Sequence, residues 1–219
     1  MPDFHKEFIS FCIEQGVLTF GSFVTKSGRV SPYFFNAGLF STGAALDRLS
    51  QFYAKTILAS DVSFDMLFGP AYKGIALVAG VSIALARGVA DKPRRNLPYA
   101  FNRKEIKDHG EGGSLIGAPI AGRVLIVDDV ITAGTAVRES IELIRRAGGE
   151  VAGVVISMDR MERGQGDFSA VQEVERSFAV PVVAIASLDD LMRFLQDSPE
   201  FRQNMTAIID YRQRYGAAR

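Results

Sequence analysis

Three short apolar runs, residues 124–127, 151–157 and 180–186, have the length of buried strands and are separated by stretches long enough for a crossover. Between the first two lies an amphipathic segment with Ile141, Leu143 and Ile144 on one stripe, closed by Gly148-Gly149. Strand, helix and strand in repetition predict an α/β fold with a mostly parallel central sheet flanked by helices. Upstream, residues 64–68 read as a further strand stopping at Gly69-Pro70, between helices over residues 46–58 and 74–87. Residues 91–102 suggest an irregular connection and a brief strand, and helices over 189–196 and 199–215 close the chain. At the other end, Phe4, Phe8, Ile9, Phe11 and Cys12 recur at helical spacing before Gly16, and residues 18–33 suggest short strands and turns around Lys26. With no repeat or composition break, residues 1–219 are expected to form a single domain.

Charge narrows the function classes. The 25 Lys and Arg balance 25 Asp and Glu, which argues against a protein that coats a polyanion. The lone Cys12 cannot form an intrachain disulfide, and residues 75–86, interrupted by Gly80 and Ser82, are too short for a membrane span. The N-terminus lacks the basic start and apolar centre of a secretory signal, so a cytoplasmic location is expected.

Ligands of parallel α/β sheets bind beyond the carboxyl ends of the strands, where loops lead into helix N-termini. One such end, Val127-Asp128-Asp129, delivers two carboxylates, and Thr132-Ala133-Gly134-Thr135 follows as a tight turn opening a helix. Gly134 permits close backbone approach, the threonines offer hydroxyls and the helix start supplies amide donors, a combination suited to phosphate. It is not a P-loop, because Gly-Lys-Ser/Thr is absent from it. Neighbouring side chains leaving a strand diverge, so Asp128 and Asp129 should have different partners, with sugar hydroxyls and a magnesium-bound ligand as candidates. Either Asp alone is more often a turn cap; the specificity lies in the combination. Lys73 stands near a helix start, where the dipole disfavours a cation, so a functional reason is the better reading. Residues 102–113 carry Arg103, Lys104, Lys107 and His109 with Ile106 as the single aliphatic side chain, and cannot bury themselves.

The run Val124-Leu125-Ile126-Val127-Asp128-Asp129-Val130-Ile131-Thr132-Ala133-Gly134-Thr135-Ala136 closely resembles the phosphoribosyl-pyrophosphate (PRPP) signature of the type I phosphoribosyltransferases. Phe34-Phe35, Gly69-Pro70-Ala71-Tyr72-Lys73-Gly74, the charged run from Asn102 to Gly110, and Met158-Asp159-Arg160 stand in the order and spacing of the orotate-using members, over essentially the whole chain. Lys92-Pro93-Arg94-Arg95 departs from them, in a region slightly longer than in the shorter bacterial members.

The resemblance implies transfer of ribose 5-phosphate from PRPP to N1 of orotate, giving orotidine 5'-phosphate and pyrophosphate with Mg2+ as cofactor. It implies a small hood over about residues 1–40, a flexible catalytic loop over about 102–113, and a homodimer that shares its sites. PRPP would be held by Lys26, Tyr72, Lys73, Arg103, Lys104, Lys107, His109 and the loop Asp128, Asp129, Val130, Ile131, Thr132, Ala133, Gly134, Thr135 and Ala136. Orotate would meet Phe34, Phe35, Thr132 and the guanidinium fork of Arg160, and the chemistry would rest on Lys107, His109, Lys73 and Asp129. Magnesium would be held mainly by substrate and water rather than by a protein cluster. Two other readings compete: a transferase for another nucleobase, opposed by Arg160 and Phe34-Phe35, and a PRPP-sensing regulator that binds nucleic acid. Zero net charge and the lack of an evident basic recognition helix in the first 60 residues oppose the second.

Overall fold

The computed structural model describes residues 3–25, 27–89, 92–103, 114–164 and 166–217. Its strands are β1 (Leu18–Val24), β2 (Val30–Phe35), β3 (Met66–Gly69), β4 (Tyr99–Asn102), β5 (Leu115–Gly117), β6 (Arg123–Val127), β7 (Glu150–Asp159) and β8 (Val182–Ser187). Its helices are α1 (Asp3–Glu14), α2 (Gly43–Ala59), α3 (Lys73–Arg87), α4 (Thr135–Arg146), α5 (Ala170–Phe178), α6 (Leu188–Asp197) and α7 (Met205–Tyr215).

Alternate residues of the central strands feed two cores. Leu67, Leu125, Val127, Val155 and Ile185 join one core with side chains of α1, α2, α3, α6 and α7. Met66, Phe68, Val124, Ile126, Val154 and Ile156 join another with Val137, Ile141 and Ile144 of α4 and Val171 and Val174 of α5. Both faces are covered, so these strands read as continuous apolar runs. The sheet has six strands in the order β5-β4-β3-β6-β7-β8, parallel except for the edge pair β4 and β5. A separate two-stranded antiparallel sheet, β1 with β2, is built from the N-terminal region of the chain.

Three local features depart from the sequence reading. Strand β5 spans three half-buried or exposed residues at an edge, too few to leave a periodic pattern. Helix α5 is nine residues long and is announced by a capping box, in which Ser169 Oγ accepts from Gln172 N and Gln172 accepts from Ser169 N. The helix expected over residues 199–215 is split, because Arg202 N donates to Pro199 O and Asn204 N to Phe201 O in i to i+3 bonds, and α7 starts only at Met205.

The sequence runs from β3 toward β4 on one side and from β6 toward β7 and β8 on the other, so the strand order reverses between β3 and β6. Loops leaving adjacent parallel strands in opposite directions open a crevice at such a point. The turn from β3 into α3 is drawn tight against its own strand: a Cβ on Gly69 would lie 2.1 Å from Gly74 O, and one on Gly74 would lie 2.6 Å from Pro70 Cδ. Only glycine lets Lys73 start its helix this close to the strand end.

Candidate active site

The loops after β3 and β6 meet at this crevice. Lys73 Nζ donates to Asp129 Oδ2 at 2.6 Å, and Ala71 N donates to Asn102 Oδ1 at 2.8 Å, which ties the β3 turn to the end of β4. Tyr72 is exposed at the start of α3. The Lys73 side chain is 55% exposed while that of Asp129 is 10% exposed, so the lysine can reach a ligand from the solvent side.

Asp128 and Asp129 are both buried, and their backbone is anchored from three sides. Tyr53 Oη of α2 donates to Asp128 O at 2.7 Å, Asp128 N donates to Val155 O at 3.0 Å, and Asp129 O accepts from Ser157 N at 2.8 Å and Ser157 Oγ at 2.6 Å. The carboxylates take different partners: Asp129 pairs with Lys73, whereas Asp128 Oδ1 accepts from the Asp129 N–H at 2.9 Å. Burial, with the neighbouring charge of Asp129 adding to it, pushes the Asp128 carboxyl up to about 7.

Beyond the carboxylates the chain wraps a cavity of about 220 Å³, lined by Asp128 and by Val130, Ile131, Thr132, Ala133, Gly134, Thr135, Ala136 and Val137. Gly134 is the N-cap of α4 in the left-handed conformation (φ 71°), with no side-chain capping bond, so the helix start faces this cavity with its amide donors uncapped by Gly134. A Cβ there would touch Val174 of α5 at 3.4 Å.

On the other side, Arg160 follows β7 and lies against the hairpin. Nε donates to Glu162 Oε1 at 2.8 Å, Nη2 donates to the same oxygen at 2.5 Å and to Ser31 Oγ at 3.2 Å, and the guanidinium sits 4.6 Å from the Tyr33 ring centre. One edge of the expected fork therefore already holds a carboxylate. On β2, Phe35 is buried, while Phe34 is 41% exposed and stacks on Phe23 with ring centres 5.5 Å apart.

A model of the phosphoribosyl transferase domain matches residues 40–183. The orotate phosphoribosyltransferase of Laribacter hongkongensis is 61% identical over 216 residues, covering 99% of each chain, and that of Chromobacterium violaceum is 60% identical over 216 residues, again with 99% of each covered. The crystal structure of orotate phosphoribosyltransferase from Francisella tularensis matches with a TM-score of 0.86 at 43% identity, covering 96% of this chain and 100% of that one. The chain belongs to the orotate phosphoribosyltransferase family.

Of the residues singled out from the sequence of this family member, Tyr72 and Lys73 stand at the start of α3, Asp128 to Ala136 run from the end of β6 into the first turn of α4, and Arg160 follows β7, while Phe34 and Phe35 lie on β2 of the separate sheet, which meets Arg160 through Ser31. Arg103 is half-buried, and its N–H donates to Ser114 O at 2.7 Å. Lys26, Lys104, Lys107 and His109 lie outside the described residues. The sequence motifs do not mark Asn102 as a turn anchor, Tyr53 and Ser157 as the groups that fix the acidic turn, or Glu162 as the partner of Arg160. Two signals were present. Ser157 is a polar residue at the end of an apolar strand, and Glu162 is an acid two residues beyond an arginine at a strand end.

Proposed function

We propose that this chain transfers the ribose 5-phosphate group of PRPP to N1 of orotate, releasing pyrophosphate and forming orotidine 5'-phosphate for de novo pyrimidine nucleotide synthesis. The observation that carries the reading is the 2.6 Å contact between Lys73 Nζ and Asp129 Oδ2, which joins the turn suited to the leaving group with the turn suited to the sugar. As the bond to C1 breaks, positive charge builds on the ribose and negative charge on pyrophosphate. Catalysis then comes from positioning both reactants and from cations placed against the leaving group, with no covalent protein nucleophile.

In this reading the 5-phosphate sits in the cavity at the start of α4, among the uncapped amides and the hydroxyls of Thr132 and Thr135. Asp129 accepts from a ribose hydroxyl while Lys73 turns from it toward pyrophosphate. Asp128, whose carboxyl is pushed up to about 7 by burial, can offer either an acceptor or a donor to the sugar. Arg160 faces the orotate ring, beside Thr132 and the Phe34-Phe35 strand. Lys26, Arg103, Lys104, Lys107 and His109 add cations and a proton donor for the departing group, with Lys107 ranked above His109.

Magnesium fits this arrangement. Asp128 and Asp129 present hard oxygens at the rim, but one is committed to Lys73 and the other to a backbone amide, so most ligands would be substrate oxygens and water. When bound, the cation would neutralise pyrophosphate charge. A single domain over residues 1–219 with a hood over about 1–40, a homodimer with shared sites and a cytoplasmic location belong to the same reading. Among the described residues no helix is long and apolar enough to cross a membrane.

The deciding experiment measures pyrophosphate release from PRPP and Mg2+ with orotate, against uracil, hypoxanthine and adenine. Release with orotate alone is expected; release only with another base overturns the substrate assignment.

A further inference from the structure

Arg160, Met161 and Glu162 form the turn that leaves β7, and Met161 holds the left-handed conformation (φ 52°) that costs a residue with a side chain. The Asp159 carboxylate accepts the Met161 N–H at 2.8 Å and secures the turn. Residues two apart are thereby made to face one another, so that Glu162 Oε1 receives both Nε and Nη2 of Arg160. Tyr33 Oη adds a long contact to the same oxygen at 3.5 Å. The side chains of Arg160 and Glu162 are 16% and 17% exposed, so this is a largely desolvated pair. Burial works against the Arg160 charge, but the Glu162 carboxylate beside it keeps the guanidinium protonated.

A guanidinium has five N–H groups. Three are used here, one on Nε and two on Nη2, by Glu162 and Ser31. The two on Nη1 have no protein acceptor among the described residues. With one edge gripped and the guanidinium carbon 4.6 Å from the Tyr33 ring centre, the direction in which Nη1 points is set before any ligand arrives. A long arginine side chain free in solvent would lose rotamer freedom on binding, and a held one loses less.

From this geometry we infer that Glu162 is a positioning residue for orotate recognition, gripping the Nε and Nη2 edge of Arg160 so that Nη1 is presented to the planar anionic base. The inference rests on the proposed role of Arg160 toward orotate. Ser31 and Tyr33 serve the same alignment from the hairpin, which gives β2 a part in base selection through its side chains as well as through Phe34 and Phe35.

The test compares Glu162→Gln and Glu162→Asp in the natural background and in Arg160→Ala, with KM measured separately for orotate and PRPP, and with Tm to verify folding. Misaligning a positioned donor should raise the orotate KM of Glu162→Gln by about ten- to a hundred-fold and leave the PRPP KM within about twofold. Glu162→Asp, which keeps the charge, should recover part of the loss. In Arg160→Ala the Glu162→Gln change should add nothing. A lowered orotate KM would overturn the inference by making Glu162 a competitor for Arg160. Equal losses for both substrates, or full additivity with Arg160→Ala, would overturn it by making Glu162 a fold support only. An orotate KM untouched by Arg160→Ala itself would remove the base-contact role of Arg160 and the inference with it, an outcome distinct from the failure of Glu162 alone.

Discussion

After β6 the chain carries two carboxylates whose backbone carbonyls are tied down by Tyr53 and Ser157, while after β7 it carries a guanidinium held through its own side chain by Glu162, Ser31 and the Tyr33 ring. The two turns are neighbours on adjacent parallel strands. Anchoring the backbone keeps a carboxylate in place yet leaves it able to exchange partners, as the proposed reaction asks of Asp129, which holds Lys73 here. Anchoring the side chain fixes the direction of the donors that remain. The first suits a reacting sugar whose charge changes along the reaction, and the second a flat base that must be recognised in one orientation.

The largest expected effect comes from removing the cation that the two sides of the crevice share. Lys73→Ala should lower kcat/KM for PRPP by about 10²–10³-fold, the range for deleting one preorganised electrostatic contact to a transition state. Its Tm should fall modestly, because the lysine is half-exposed but the 10%-exposed Asp129 loses its counter-charge. A kcat/KM within about threefold of the natural enzyme would break the assignment of this turn to the leaving group.

Next comes the pH dependence of the acidic turn. With the Asp128 carboxyl at about 7 in the folded chain, against an ordinary value near 3.8, the native state keeps between those values a proton that the unfolded chain has lost. The folded state therefore loses stability as pH rises from about 4 to about 7, by on the order of 3 kcal/mol, and the loss levels off above that window. Asp159 is also raised by burial, so it contributes to the same slope. Asp128→Asn should flatten most of the slope and raise Tm at pH 8 relative to the natural chain, while activity falls. Thermal unfolding of both proteins from pH 5 to pH 8 checks this; an unchanged slope would show that Asp128 is ionised in the fold.

A smaller effect should separate the two turns. Gly134→Val forces a β-branched residue to φ 71° and crowds Val174, a cost of about 1–3 kcal/mol. Much of it should appear as weaker PRPP binding, measured by calorimetry, with the Arg160 turn unchanged. Equal weakening of orotate binding would mean that the two turns are one mechanical unit.

How far these features could be read in advance depends on their range along the chain. The parallel core was legible because β6 and β7 are buried on both faces and β8, half-buried at the edge, is apolar up to its last residue, so each carries a mostly apolar stretch. The cavity at the start of α4 falls on a turn that the sequence marks, because its lining is nearly contiguous, from Asp128 to Val137. Partners brought by folding were not legible: Lys73 and Asp129 are 56 residues apart, Tyr53 and Asp128 are 75 apart, and Arg160 and Ser31 are 129 apart. Glu162 was close in sequence but needed the left-handed Met161 to turn it back on Arg160, and nothing in the identity of methionine signals that conformation.

The smallest effect is expected from behind the cavity at the start of α4. Helix α5 covers Gly134 through Val174, and Glu173 Oε2 accepts from Arg138 Nη2 of α4 at 3.3 Å, so the helix that closes the cavity leans on α5. At the start of α5, Ser169 Oγ accepts from Gln172 N at 3.2 Å. Ser169→Ala removes that cap and should cost about 1 kcal/mol, lowering Tm by about 2–4 °C for a chain of this size. If the leaning matters to the ligand, the same variant should weaken PRPP by about twofold and spare orotate, since Arg160 is held from the hairpin side and Glu162. Loss of Tm with both ligands unaffected would confine α5 to stability, and would leave the uncapped start of α4 sufficient to hold the phosphate turn.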